Sequence, residues 1–216
     1  AMVSQPTFDP NDLAGHDLTL LDANYKKLNA APQRPLVNRP INGDLYPPGS
    51  IFKVITAAAA LSSGEYTEDS MLPGPAVLEL PGTTASLPNM FDGACGANDK
   101  VSFTRAMAIS CNTAFAAVGM DIGADALRAQ AEKFGFGDSL SVPMRVTPST
   151  IPAELNMPQL AQSSIGQFDV RVTPLQMAMV AAGVANDGTV MKPYLVQSVI
   201  GSDLSGVVLR TGPGVN

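Results

Sequence analysis

Apolar residues recur at helical spacing in several stretches of the chain, and prolines, glycines and polar residues separate these stretches. Ser102 and Thr173 stand where helix-capping residues are expected, and Gly64 stands where a helix is expected to stop. The pattern predicts helices over residues 18–30, 50–63, 102–110, 112–123, 124–135 and 173–188.

The remaining segments predict little regular structure. Residues 65–100 are rich in proline, glycine and asparagine and predict a loop with a small hairpin at "AVLEL". Residues 138–158 predict a loop, and residues 189–200 predict an extended segment. The sequence therefore predicts a mainly α fold with few strands.

Composition narrows the classes of function. The chain has 216 residues, of which 45% are hydrophobic and 15% charged, so one domain with a substantial core is expected. The net charge is -6 and no basic stripe is present, which argues against nucleic acid as a partner. No apolar run within these residues approaches the roughly 18 that indicate a membrane span.

Cysteine and histidine are too few for a zinc site, and we expect neither a metal nor a cofactor. The chain has two cysteines, Cys95 and Cys111, and a single histidine far away in sequence. Two cysteines stay free in a reducing compartment and pair in an oxidising one, so composition alone leaves their state open.

Ser50 and Lys53 stand three residues apart at the start of a predicted helix, where they would share a face. A serine hydroxyl becomes a good nucleophile when a base removes its proton, and burial lowers the pKa of a lysine toward that task. Backbone N–H groups at the helix start could stabilise an oxyanion. The simpler alternative is a helix-capping serine beside a lysine that extends into water.

A second polar pair lies between two predicted helices. In an extended turn, the side chains of Ser110 and Asn112 would face the same way, where a hydroxyl could relay a proton and a carboxamide could hold a substrate amide. The alternative is that Asn112 only caps the following helix.

Together these stretches have a known counterpart. "YPPGSIFKV", "SCNTAF" and "SSIGQFDVRVTPLQMAMVAAGVANDG", with "PTFDPND" near the start, resemble the transpeptidase domain of penicillin-binding proteins. Their order is similar to that in the monofunctional class B type, and to actinobacterial members in particular. Ser-x-x-Lys, Ser-x-Asn and Lys-Thr-Gly are the motifs of this family.

The resemblance implies a serine D,D-transpeptidase of peptidoglycan cross-linking. Ser50 would be the acylated nucleophile, Lys53 its general base and Ser110 a proton-transfer group, while Asn112 would bind the substrate amide. It also implies the D-Ala-D-Ala end of a stem peptide as substrate, β-lactams as inhibitors, cell-wall synthesis proteins as partners, and a location on the extracytoplasmic face of the cell membrane.

The third motif is absent, because none of the lysines precedes Thr-Gly. The "RTG" at residues 210–212 is rejected as a substitute because it follows the 173–188 helix too soon. We therefore expect residues 1–216 to be a partial transpeptidase domain that begins inside a strand. It would hold the helical lobe of the fold, with the central sheet incomplete and one cleft wall missing, and be inactive alone.

Two other readings remain open. A serine β-lactamase would need a deacylating glutamate, for which Glu154 is the candidate in the loop, although "PAELNMP" offers it no convincing partner. A non-catalytic helical module for binding or scaffolding is the alternative outside enzyme classes.

The implied location also bears on the cysteines, since peptidoglycan cross-linking takes place outside the reducing cytoplasm. We expect a Cys95–Cys111 disulfide that orders the turn between Ser110 and Asn112. Two unpaired core cysteines are the alternative.

Overall fold

The computed structural model describes residues 2–202 and, as a strand, residues 207–210. Within these residues the chain is mainly helical, as predicted. The helices are α1 Leu18–Ala30, α2 Lys53–Ser63, α3 Phe103–Ala108, α4 Asn112–Lys133, α5 Met157–Ser163 and α6 Pro174–Ala185. Across the described part of the chain, no helix combines the length and the apolar character that crossing a membrane requires.

The strands are short and form antiparallel pairs. The pairs are β1 Met71–Pro73 with β4 Lys100–Ser102, β2 Val77–Glu79 with β3 Ser86–Pro88, and β5 Ser198–Ile200 with β6 Val207–Arg210. The β2–β3 pair is the predicted hairpin, whereas β5 is the only regular strand in the segment that was predicted to be extended throughout.

Predicted helix ends are confirmed where the signal is local. Ser102 accepts a hydrogen bond from the Arg105 backbone N–H and caps α3. Thr173 caps α6 in the same way. Gly64 follows α2 with a φ of 79°, a left-handed conformation that glycine adopts without steric cost.

Three parts of the secondary-structure prediction need correction. The 50–63 helix begins with a 3₁₀ turn, Gly49–Phe52, before α2 starts at Lys53. The two segments predicted after residue 112 form one element, interrupted at Gly123 by a φ of 84°. Helix α5 lies partly in the predicted 138–158 loop, where Asn156 and Gln159 exchange side-chain hydrogen bonds with each other's backbone.

Helix α2 packs against α4 at the centre of the molecule. One buried apolar cluster joins α4 to α3 and the β1–β4 pair, around Phe103 and Phe115. A second cluster joins the later part of α4 to α2 and α6, around Ile55 and Leu127. Because both helices are buried against each other, residues at their first turns are held in fixed relative positions.

Candidate active site

Backbone contacts hold the segment that carries Ser50. The Gly49 N–H donates to the carbonyl of Gly166 at 2.9 Å. A Cβ on Gly166 would lie 2.1 Å from the Gly49 oxygen, so only glycine permits this approach. Nearby, Tyr46 and Val172 exchange two backbone hydrogen bonds of 2.9 Å. The loop that precedes α6 therefore fixes the position of Ser50.

Ser50 itself is exposed and is the second residue of the 3₁₀ turn. In a 3₁₀ helix the side chains of residues i and i+3 are eclipsed, so Ser50 and Lys53 project from the same side. The hydroxyl of Ser50 makes no hydrogen bond to any residue that the structure describes, Lys53 included. The two side chains thus share a face without being joined.

Lys53 is bonded to the second motif instead. Its side chain is only 1% exposed. The Nζ atom lies 2.7 Å from the Ser110 carbonyl oxygen, 2.9 Å from Ser110 Oγ and 2.7 Å from Asn112 Oδ1. The predicted residues Lys53, Ser110 and Asn112 are therefore brought together by direct contacts.

Burial lowers the pKa of the Lys53 amine from 10.5 to about 8, because a buried ammonium loses its hydration. No carboxylate among the described residues forms an ion pair with it. The ring of Phe115 lies 5.9 Å from Nζ and favours the charged form weakly. Lys53 is therefore set to exchange a proton near neutral pH.

The contacts of Lys53 fit both protonation states. A charged ammonium donates three hydrogen bonds and would use all three here. A neutral amine would donate to the Ser110 carbonyl and to Asn112 Oδ1, and accept a hydrogen bond from the Ser110 hydroxyl on its lone pair. Losing the proton therefore breaks none of the three contacts.

Ser110 and Asn112 face Lys53 together, but the turn is not extended as predicted. Ser110 has a φ of 56°, between the end of α3 and the start of α4. Cys111, not Asn112, is the N-cap of α4, and its sulfur accepts the Ala114 N–H at 3.4 Å. The alternative that Asn112 acts only as a helix cap is therefore wrong.

The carboxamide of Asn112 is oriented by its neighbours. Its Nδ2 donates to the Pro88 carbonyl at 3.1 Å, which leaves Oδ1 facing Lys53. An amide nitrogen carries two N–H bonds, and the second finds no acceptor among the described residues.

The cysteines form a disulfide, Cys95–Cys111, and both are buried. The bridge ties the loop after β3 to the turn that carries Ser110 and Asn112. Asn89 reaches the same turn from this loop, and sequence reasoning missed it because no local pattern marks the contact.

Glu154 lies outside this arrangement. Its side chain is exposed, and the adjacent Ala153 carbonyl accepts a hydrogen bond from Arg128. Among the described residues, the Glu154 side chain forms no hydrogen bond or ion pair with Ser50, Lys53, Ser110 or Asn112.

Comparison with known proteins decides the family. A family model described as "Penicillin binding protein transpeptidase domain" matches residues 1–213. The chain belongs to this family. The penicillin-binding protein motifs Ser-x-x-Lys and Ser-x-Asn fall on Ser50–Lys53 and Ser110–Asn112, whereas Thr211 and Gly212 of the rejected "RTG" lie outside the described residues.

Other penicillin-binding proteins are similar along nearly the whole chain. The peptidoglycan D,D-transpeptidase PbpA of Mycolicibacterium smegmatis is 46% identical over 98% of this chain and 43% of its own length. MrdA of Escherichia coli K12 is 31% identical over 92% of this chain and 32% of its own length.

A solved structure also matches closely. Penicillin-binding protein A of Mycobacterium tuberculosis, in its penicillin G acyl-enzyme complex, aligns with a TM-score of 0.91 and 43% identity. The alignment covers 99% of this chain and 49% of that one. The chain thus spans less than half the length of these two curated relatives.

Proposed function

We propose that the protein carrying this sequence is a serine D,D-transpeptidase of peptidoglycan cross-linking, with Ser50 as the residue that is acylated. Its substrate is the D-Ala-D-Ala end of a stem peptide, and β-lactams react with the same hydroxyl. The observation that carries the proposal is the buried Lys53 amine, bonded to Ser110 and Asn112 and directed to the same side as an exposed serine.

Acylation would proceed as follows. Neutral Lys53 gives up the hydrogen bond that it accepts from the Ser110 hydroxyl and takes the proton of the Ser50 hydroxyl on the freed lone pair, while Oγ bonds to the carbonyl carbon of the D-Ala-D-Ala amide. The C–N bond then breaks, and the proton passes from Lys53 through the Ser110 hydroxyl to the departing amine of D-alanine. An amino group of a second stem peptide next attacks the ester, which frees Ser50 and forms the cross-link.

The remaining groups of the site would bind the substrate. The free Nδ2–H of Asn112 would donate to an amide carbonyl of the stem peptide. The Ser50 N–H, at the second residue of the 3₁₀ turn, could stabilise the developing oxyanion, whereas the Gly49 N–H is already bonded to the Gly166 carbonyl. In a β-lactam the broken C–N bond belongs to the ring, so the leaving amine stays attached to the acyl group.

The relatives support this reading. PbpA and MrdA carry the name peptidoglycan D,D-transpeptidase, and the Mycobacterium tuberculosis protein forms an acyl-enzyme with penicillin G. A location on the extracytoplasmic face of the cell membrane is part of the proposal, and the Cys95–Cys111 disulfide favours it because such bonds persist in oxidising compartments.

The test is covalent labelling. The full-length protein that contains this sequence is incubated with a labelled penicillin, and the modified peptide is identified by mass spectrometry. We expect the label on Ser50, and none in Ser50→Ala. A label on Ser110 would contradict the assignment, no label would favour a non-catalytic module, and rapid loss of the label by hydrolysis would favour a β-lactamase.

A further inference from the structure

Asn89 lies outside the recognised motifs, yet its side chain reaches the start of α4. It follows β3 directly and is only 8% exposed. Its Oδ1 accepts the backbone N–H of Asn112 at 3.0 Å and that of Thr113 at 3.2 Å. These are the first two residues of α4, whose N–H groups have no partner within the helix.

The other half of the carboxamide holds the loop. Asn89 Nδ2 donates to the Pro75 carbonyl at 3.0 Å and to the Gly93 carbonyl at 3.2 Å. Because the N–H groups need an acceptor and the carbonyls need a donor, these partners fix which way the amide points. One side chain therefore links the β2–β3 hairpin to the first turn of α4.

Helix α4 depends on this contact because its own cap is weak. The N-cap is Cys111, whose sulfur accepts the Ala114 N–H. Sulfur is a poor acceptor compared with the side-chain oxygens that usually cap helices. Asn89 supplies such an oxygen from a segment 23 residues earlier in the chain.

Pro88, which precedes Asn89, also contacts Asn112. The Pro88 carbonyl accepts from Asn112 Nδ2, and Asn112 Oδ1 in turn accepts from Lys53 Nζ at 2.7 Å. Residues 88 and 89 therefore hold both the side chain and the backbone of Asn112.

We propose that Asn89 is a positioning residue for acylation: it holds the Ser110–Asn112 turn so that both side chains reach Lys53. The expected effect of Asn89 on the rate of acylation rests on the proposed function. Asn89 forms no hydrogen bond with Ser50 or Lys53, so its effect passes through the turn. Displacing catalytic groups by about 1 Å can cost about a hundredfold in rate.

The first experiment compares two asparagines that cap helices. Asn156 caps α5 and is exposed. It shares no hydrogen bond with Lys53, Ser110 or Asn112 among the described residues. In the full-length protein, well below the melting temperatures, Asn89→Ala should slow acylation by a fluorescent penicillin by about tenfold or more. Asn156→Ala should stay within about twofold of the unsubstituted rate. A loss below tenfold in Asn89→Ala, or an equal loss in Asn156→Ala, would overturn the proposal.

A second variant separates positioning from loop support. Asn89→Asp keeps an acceptor for the N–H groups of α4 but loses the donor to Pro75 and Gly93. Rates are compared at the plateau that each variant reaches at high pH, so that the added charge near Lys53 does not bias them. We expect Asp to restore acylation to within about threefold of the unsubstituted protein. A plateau as low as that of Asn89→Ala would mean that Asn89 only supports the loop.

A third readout needs no activity. Asn89→Ala should accelerate hydrogen exchange of the Asn112 and Thr113 amides while leaving those of α6 unchanged, and unaltered exchange at α4 would refute the contact's role. If Asn89→Ala does not fold, the similarly sized Asn89→Leu takes its place in all arms. If the unsubstituted protein is never acylated, the proposed function fails, and exchange alone decides whether Asn89 holds the turn.

Discussion

The Ser50 turn and the Ser110–Asn112 turn hold their polar side chains in opposite ways. Ser50 is fixed through backbone contacts of its neighbours, and its hydroxyl bonds no described residue. Ser110 and Asn112 instead direct their side-chain oxygens at the buried amine of Lys53. One region leaves its serine hydroxyl free, and the other uses its side chains to hold the Lys53 amine in place.

This difference suits the two roles that the proposed function gives to Ser50 and Lys53 in acylation. A nucleophile must be able to move onto a carbonyl carbon, so a free and exposed hydroxyl is an advantage. A general base works best when its pKa is near the working pH and its position is fixed beforehand. Lys53 is thus better described as part of the Ser110–Asn112 turn than as a partner of Ser50 alone.

Replacing the base should have the largest effect. Lys53→Arg keeps the charge but cannot lose its proton in a protein, so acylation of Ser50 should fall by about a thousandfold. The second-order rate constant for a fluorescent penicillin measures this, with circular dichroism as a check on folding. Lys133→Arg, at an exposed site on α4, is the control and should react normally. Near-normal acylation of a folded Lys53→Arg variant would remove Lys53 from the role of base.

Removing the relay should have a smaller effect. Ser110→Ala deletes one of three contacts of Lys53 and the proposed path of the proton, so acylation should fall by about ten- to a hundredfold. Ser63→Ala, which removes an exposed hydroxyl bonded to the Ala60 carbonyl, is the matched control. Equal rates for the two variants would show that Ser110 acts only through its backbone.

Breaking the disulfide should affect stability more than rate. The two cysteines are separated by 16 positions, and closing such a loop contributes about 3 kcal/mol by the chain-entropy model. Cys95→Ala with Cys111→Ala should lower the free energy of unfolding by about that amount, measured by denaturant titration. Acylation should slow only a few-fold, because Asn89 still holds the turn. An unchanged rate would mean that the bridge does not order the site.

The smallest effect is expected away from both regions. Asn156→Ala removes the cap of α5 and should cost about 1 kcal/mol of stability, seen as a lower melting temperature. Acylation should be unchanged, because α5 carries none of the site residues. A large loss of acylation here would show that the site depends on general stability and not on the turn.

Local rules predicted much of this molecule. Ser102, Thr173 and Gly64 mark helix ends through contacts within a few residues, and the structure confirms each one. Helix α5 was missed although Asn156 and Gln159 form a recognisable capping box, because a helix of seven residues gives almost no periodic signal.

The site was predicted only in part, since its contacts join distant segments. Spacing placed Ser50 beside Lys53. The Lys53 amine, however, forms hydrogen bonds with Ser110 and Asn112, which lie 57 and 59 positions further along the chain. The contact of Asn89 with α4 depends on how the β2–β3 hairpin packs. A sequence pattern shows which residue types are close together in the chain, whereas tertiary packing determines these contacts between distant segments.

The pH dependence of acylation tests most directly whether Lys53, held by the turn, is the base for Ser50. Burial lowers the pKa of Lys53 to about 8, and only the neutral amine can accept the proton of Ser50. The neutral fraction is about one tenth at pH 7 and about nine tenths at pH 9, so the rate constant for penicillin acylation should rise about tenfold between them. It should then level off above pH 9. A rate that stays flat from pH 6 to 9, or falls as pH rises, would contradict this role for Lys53.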